Sequence, residues 1–432
     1  MIKIIKIITI LISSYIYLKM FKNFINKRNQ NIIFILTTFF YIFFIQPLIL
    51  DIIIGYPSYK SLNYGFIVSY NKLWIEVIYN IFVIFNMLIF NHYFKKNKFL
   101  LEVNLLESKK NSFFIFIIFC LTTILATLFI KLDSDTINKI FSYQTRYLSK
   151  TGILEFVSSN AGIFSLIILG CLLMEKDSKS FMLKSLVFLP YIILLVLVNG
   201  KKSVVFITLT LYIIIIFINK IIKSKGLFII FAISVVSFLM IYLIYYLNNV
   251  DASLKTSFAE KYTSYRIELC RDDRVKYAIY NELYEEQKIL DYRGQTILFY
   301  FTFFIRRSHW TSKPYPYAIY FTKSMIGLTG ETIPLGWSMT TTIYDELISN
   351  FGLFTLLITP ILLARFCISS MKNYEKNRVS SVLILLLTIL LSCLSLTTQL
   401  SAHLYLALLY IGFKFLNKIK IKGRKNENNV LY

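Results

Sequence analysis

Charge is scarce in this chain. Asp, Glu, Lys and Arg make up only 16% of its 432 residues, where a soluble domain carries about 25%. Histidine is rarer still, with three copies at 92, 309 and 403 and no metal-ligand spacing among them. The five cysteines (120, 171, 270, 367 and 393) form neither a ligand set nor a disulfide framework. There is no glycine-rich phosphate loop and no nucleophile elbow. Hydrolase chemistry of the familiar kinds is therefore unsupported, and no metal or cofactor is implied.

What is present is apolar. Hydrophobic residues reach 56%, and several runs approach the length needed to cross a bilayer. The composition predicts an all-α polytopic membrane protein, since helices satisfy the backbone in lipid. Eleven segments read as membrane helices: 4–18, 31–50, 73–92, 112–130, 153–174, 183–199, 203–219, 227–247, 342–367, 379–397 and 400–417. The run 297–304 is too short to span and reads as a re-entrant or interfacial turn. Lys3 and Lys6 precede the first apolar run without a small-residue cleavage site, so that segment reads as a retained helix.

The net charge of +24 flanks the apolar segments in short clusters, as topology signals do, and gives no nucleic-acid footprint. Alternate linkers hold 25 basic and six acidic residues; the remainder of the chain holds 22 and 17. That bias places the C-terminus in the cytoplasm and the 248–341 loop outside, with the N-terminus also outside. Three regions follow: helices over 1–247, a large extracytoplasmic loop over 248–341, and helices with a basic tail over 342–432.

The loop carries twelve basic and ten acidic residues, and 255–290 reads as one or two surface helices. Arg306, Arg307 and Lys313 follow the apolar 297–304 run, with His309 and Trp310 among them. These cations read either as interfacial anchors or as phosphate ligands, for which a guanidinium fork is well suited. Lys201 and Lys202 in a tight hairpin on the same face, and Arg146 more weakly, are further candidates for a diphosphate. Asp345 and Glu346 head the next apolar helix, where acids favour the N-terminus. One of them is otherwise a general base, and Glu346 is preferred because Asn350 lies four residues on, on its face. His309 is a weaker base. Tyr315, Tyr317, Tyr320, Trp310 and Trp337 near the outer rim read as sugar-stacking residues or as an aromatic belt.

The segments IRRSHWTSKP and TTIYDELISNFG, set in this order of helices and late outer loop, resemble Wzy-type O-antigen polymerases. Arg306, Lys313 and Pro314 are similar to that family's Pro-Arg…Lys-Pro element, with Ile305 in place of the first proline. Glu346, Asn350, Phe351 and Gly352 are similar to its Glu…Asn-Phe-Gly element. The resemblance implies a bacterial inner-membrane, metal-independent enzyme of GT-C-like architecture with about 11 transmembrane helices and the large loop periplasmic. Its substrates would be undecaprenyl-diphosphate-linked oligosaccharides, both donor and acceptor, joined with inversion. The cations would hold diphosphate, and Asn350, Tyr315, Trp310 and Trp337 would touch sugar. A chain-length regulator and a flippase of the same pathway would be partners. An O-antigen ligase, or a lipid-linked oligosaccharide flippase, remains the alternative.

Overall fold

The computed structural model describes residues 1–26, 31–59, 62, 64–97, 109–127, 153–173, 178–199, 202–218, 257–286, 288–328, 338–372, 378–397, 407 and 411. They fall into two compact units. One comprises Met1–Leu100, Thr256–Ser369 and Leu387–Leu400; the other comprises Leu101–Lys255, Ser370–Leu386 and Ser401–Tyr432.

The first unit opens with α1 (Ile2–Ile25), which packs along α5 (Leu73–Lys96). Its inner stripe is polar, with Lys6, Thr9 and Ser13 buried, while Ile4, Ile7, Ile8, Leu11 and Ile12 point outward. A polar face turned inward and an apolar face turned outward is the arrangement a lipid surround favours.

Between them, α2 (Ile33–Phe40) passes through a π turn (Tyr41–Ile45) into α3 (Gln46–Ile53). Pro47 explains the disruption, because it has no N–H and cannot bond to the carbonyl four residues back. The carbonyls released there are reused. Phe43 O accepts the Arg271 N–H at 3.0 Å, and Phe44 O accepts the Tyr79 hydroxyl at 2.7 Å. Pro47 O accepts from Arg266 Nη1 at 3.0 Å. A short α4 (Tyr64–Ser69) leads into α5.

The second unit contributes α6 (Lys109–Thr127), α7 (Ile153–Leu172), α8 (Ser178–Asn199) and α9 (Lys202–Ile218). Helices α6 and α7 pack closely, and Thr123 lies 3.1 Å from Ser165 and 2.8 Å from the Tyr191 hydroxyl of α8. Gly170 lets α9 approach, since a Cβ there would sit 2.0 Å from Leu211 Cδ2.

Back in the first unit, α10 (Phe258–Leu269) and α11 (Asp272–Tyr284) replace the expected surface helices of 255–290. Asp272 through Asn281 are all buried in α11, a correction to the sequence reading. Its charges are buried because they are paired, Asp272 and Lys276 with charges on other helices and Asp273 with the neighbouring Arg274. Next come α12 (Gln295–Thr302), α13 (Tyr317–Ile326) and α14 (Ile343–Phe351); α15 (Thr355–Lys372) and α16 (Arg378–Cys393) are divided between the units, with Ser370–Leu386 in the second.

The expectation of about eleven transmembrane helices in a GT-C-like fold is overturned. Among the described residues, four helices are long and apolar enough to cross a membrane: Ile2–Ile25, Ile33–Ile53, Leu73–Lys96 and Thr355–Lys372. The apolar stretches Phe116–Ala126, Leu183–Leu197, Ile207–Ile216 and Ser381–Cys393 are shorter. At 1.5 Å per residue they fall short of a hydrocarbon core of about 30 Å. The expected 342–367 helix is two helices, broken at Gly352 with φ 94°. The expected segments 227–247 and, but for 407 and 411, 400–417 lie outside the described residues.

Candidate functional site

Helix α14 starts where Thr341 and Thr342 leave extended backbone. The Thr342 hydroxyl accepts from the Asp345 N–H, and the Asp345 carboxylate accepts the Thr342 N–H at 2.7 Å, closing a capping box. Asp345 is thus committed to the helix start, and its second carboxylate oxygen is buried with no hydrogen-bond partner. Burial pushes its pKa up to about 7, against the opposing pull of Thr342.

Glu346, the next residue, points elsewhere, as the roughly 100° step of a helix requires. Its Oε1 accepts from Thr296 Oγ1 at 2.9 Å and from Thr397 Oγ1 at 2.8 Å. Its Oε2 accepts the Thr397 N–H at 3.3 Å. Asn350, one turn on, donates to Thr296 Oγ1 at 2.8 Å and to Glu346 O at 2.7 Å. The carboxylate is fully buried, and burial raises its pKa while Thr397 and Thr296 oppose the shift. The spacing from 346 to 350 therefore does unite these two side chains, through a threonine of α12. Sequence reading missed Thr296 and Thr397, which lie fifty and fifty-one residues away.

Helix α12 runs from Thr296 toward the cationic loop. Lys313 folds back over that loop, its ammonium donating to Phe303 O and Ile305 O at 2.7 Å each. Arg307 donates to Lys313 O at 2.6 Å and Pro314 O at 2.8 Å, and stacks 3.4 Å over Tyr315. Burial, then Arg307, lower the Lys313 pKa. Both cations thus hold the turn together. Arg306 is exposed and makes no ion pair or side-chain hydrogen bond among the described residues, and His309 three residues on is exposed as well. Trp310 is half-buried and donates to Ser312 at 2.8 Å.

The expected aromatic rim divides. Tyr317 is buried against Ser349 at 2.8 Å, while the half-buried Tyr320 takes hydrogen bonds from Gln295 and the Tyr315 N–H. Arg146, Lys201 and Trp337 lie outside the described residues, as does the side chain of Lys202. Among the described residues no group of His, Cys, Asp and Glu could hold a metal ion.

One assembly escaped the sequence reading. Lys6 of α1 meets Asp51 of α3 at 2.6 Å and Glu76 of α5 at 3.2 Å. Arg266 reaches Asp51 at 2.6 Å and Asp272 at 2.8 Å; Lys276 reaches Glu76 at 2.8 Å and Asp272 at 3.4 Å. All six side chains are buried, three of each sign. Beside them Arg274 pairs with Asp273 and donates from Nε to Thr340 O at 3.1 Å, just ahead of α14. The available signal was a lysine inside a membrane-length apolar run, which is costly unless paired. The sequence reading places Lys6 ahead of the apolar run, not within it.

No known protein family matches this chain, and no curated protein or solved structure matches it. The structure defines a class: a membrane-associated helical protein with a few apolar helices of membrane-spanning length among its described residues.

Proposed function

We propose that this chain polymerises undecaprenyl-diphosphate-linked oligosaccharide repeat units, as Wzy-type O-antigen polymerases do. The growing chain passes from its lipid diphosphate to the non-reducing end of the next lipid-linked unit, with inversion at the anomeric carbon. The supporting observation is the exposed Arg306 guanidinium, without an ion pair among the described residues, in the turn that follows α12, the helix whose N-terminal end binds the Glu346 carboxylate.

Negative charge builds on the departing diphosphate as the glycosidic bond breaks. A guanidinium fork stabilises it best when the donors are already in place. Arg307 and Lys313 supply that fixity by tying the turn to four backbone carbonyls. Glu346 takes the acceptor hydroxyl's proton once Thr296 or Thr397 gives up its place on the carboxylate. The cationic turn and the acid are linked by one short helix, so acceptor binding at one end is felt at the other.

The test uses purified membranes given lipid-linked repeat units. Arg306→Ala should abolish the ladder of longer chains at normal expression. Arg306→Lys should restore it only partly, because an ammonium does not replace a two-point fork. A wild-type ladder from the alanine variant would reject the reading of Arg306. Wild-type membranes that lengthen nothing, but transfer a preassembled chain to a lipid A core, would mark a ligase.

A further inference from the structure

Glu346 is a buried acid with no counter-ion. Among the described residues no Lys, Arg or His pairs with it, whereas the buried Asp51, Glu76, Asp272 and Asp273 each meet a cation. Its hydrogen bonds are those of an ionised group. The Thr296 hydroxyl accepts from Asn350 Nδ2, and the Thr397 hydroxyl accepts the Tyr317 N–H at 3.0 Å. Each hydroxyl therefore has its single hydrogen left to give to Glu346 Oε1. A carboxylate enclosed in this way is costly unless something neutralises it. The N-terminal turn of α14 supplies only a partial charge, roughly half an elementary unit. A second atom points to a missing ligand. Asn350 Oδ1 is buried without a hydrogen-bond partner, and the nitrogen of the same amide rests on Thr296 at 2.8 Å.

We propose that Glu346, Thr296, Thr397 and Asn350 bind a sodium ion. Hard cations take oxygen ligands, and this cluster offers a carboxylate, two hydroxyls and an amide oxygen. A hydroxyl turns about its C–O bond, so either threonine can present a lone pair in place of its hydrogen. One uncompensated carboxylate matches a single positive charge. A divalent ion draws further carboxylates, and the neighbouring Asp345 is already held by Thr342. The threonine oxygens stand 2.9 and 2.8 Å from Oε1, a spacing that suits a small ion. All four residues lie in the first unit, on α12, on α14 and in the turn after α16. A bound ion therefore ties three separate stretches of chain together and stabilises the folded form by linkage. The site does not depend on the polymerase reading. Under that reading sodium and the acceptor's proton compete for one carboxylate, and sodium slows chain growth.

The experiment uses the full-length protein in nanodiscs and needs no sugar substrate. Dicyclohexylcarbodiimide modifies buried carboxyl groups in apolar surroundings, and mass spectrometry locates the adduct. Labelling of Glu346 should fall at least fivefold in sodium chloride and hold within twofold in choline chloride of equal ionic strength. The unfolding midpoint should also rise in sodium chloride over choline chloride, and Glu346→Gln should abolish that rise. Thr397→Val and Asn350→Ala keep the carboxylate and should raise the sodium concentration for half protection at least fivefold. Should the glutamine variant not fold, these two carry the comparison. Where the reagent does not reach Glu346, the midpoint decides. Equal protection by choline would mark ionic strength alone and overturn the site, and equal protection by potassium would overturn the small ion. Labelling and midpoint both indifferent to sodium would leave Glu346 to the proton and reject the proposal. Sodium binding by a protein that makes no ladder would keep the site and reject the polymerase. A normal ladder with no sodium effect on labelling or midpoint would do the opposite.

Discussion

Lys6 and Asp51 stand 45 residues apart and meet at 2.6 Å, both almost wholly shielded from solvent. Around this pair three membrane-length helices are joined to α10 and α11 by alternating charges. Their arrangement is balanced, so removing one member leaves an uncompensated buried charge. Lys6→Met should therefore destabilise the first unit by about 3–5 kcal/mol, the range for breaking a buried pair. Lys6→Met combined with Asp51→Asn should recover part of that loss. Thermal unfolding in detergent reads both, and an unchanged midpoint for the single variant would deny the lock.

The same pair ties the N-terminal end of α1 to the helices of the 257–284 segment. An engineered cysteine near Met1 and another near Glu285 should thus react from one side of the membrane. Labelling of intact cells with an impermeant reagent is the measurement. The charge bias predicts that both react before lysis; opposite behaviour of the two positions would break the connection seen through Lys6 and Arg266.

Asp345 gives a pH signature. Its folded pKa, raised from 3.8 to about 7, means that the folded chain holds this proton where the unfolded chain has released it. Its contribution to stability is then full below pH 3.8 and declines as pH rises toward 7. Asp345→Asn should flatten that decline, and Glu346→Gln should act in the same direction because burial raises its pKa too. The comparison is the variant-minus-wild-type unfolding midpoint from pH 4 to 8. A difference that does not change with pH would contradict the assignment.

Glu346→Gln also tests chemistry. A general base commonly contributes about 10²–10⁴ in rate. The glutamine variant should lose polymerisation on that scale while still capturing lipid-linked substrate. Turnover near wild type across pH 5.5 to 9 would leave Glu346 as an anchor of α12 and turn attention to His309.

Gly352 lies at φ 94° and ψ −179°, a conformation essentially reserved for glycine. Gly352→Ala should cost about 1–3 kcal/mol, by the usual cost of such strain. There is room for the added carbon, since its nearest neighbours, Arg293 Nη1 and Glu282 Oε1, would be 3.7 Å away. Backbone strain alone is therefore under test, and an alanine variant with an unshifted midpoint would show that α14 and α15 tolerate a different break.

The sequence by itself determined the membrane class, because apolar runs and scarce charge leave few other ways to satisfy a backbone. It also determined the face shared by Glu346 and Asn350, which follows from helical spacing alone. Only the tertiary structure decided where the spanning helices begin and end, since the glycine at 352 splits the 342–367 run through geometry that hydropathy does not register. It likewise decided the fate of the charges. Arg306 and Lys313 look alike on paper, yet one is exposed and the other caps two carbonyls of its own turn. Lys6 reads in sequence only as a charge ahead of the first apolar run. Its role is set by Asp51, Glu76, Arg266 and Lys276, charges that come within reach only when distant helices pack together.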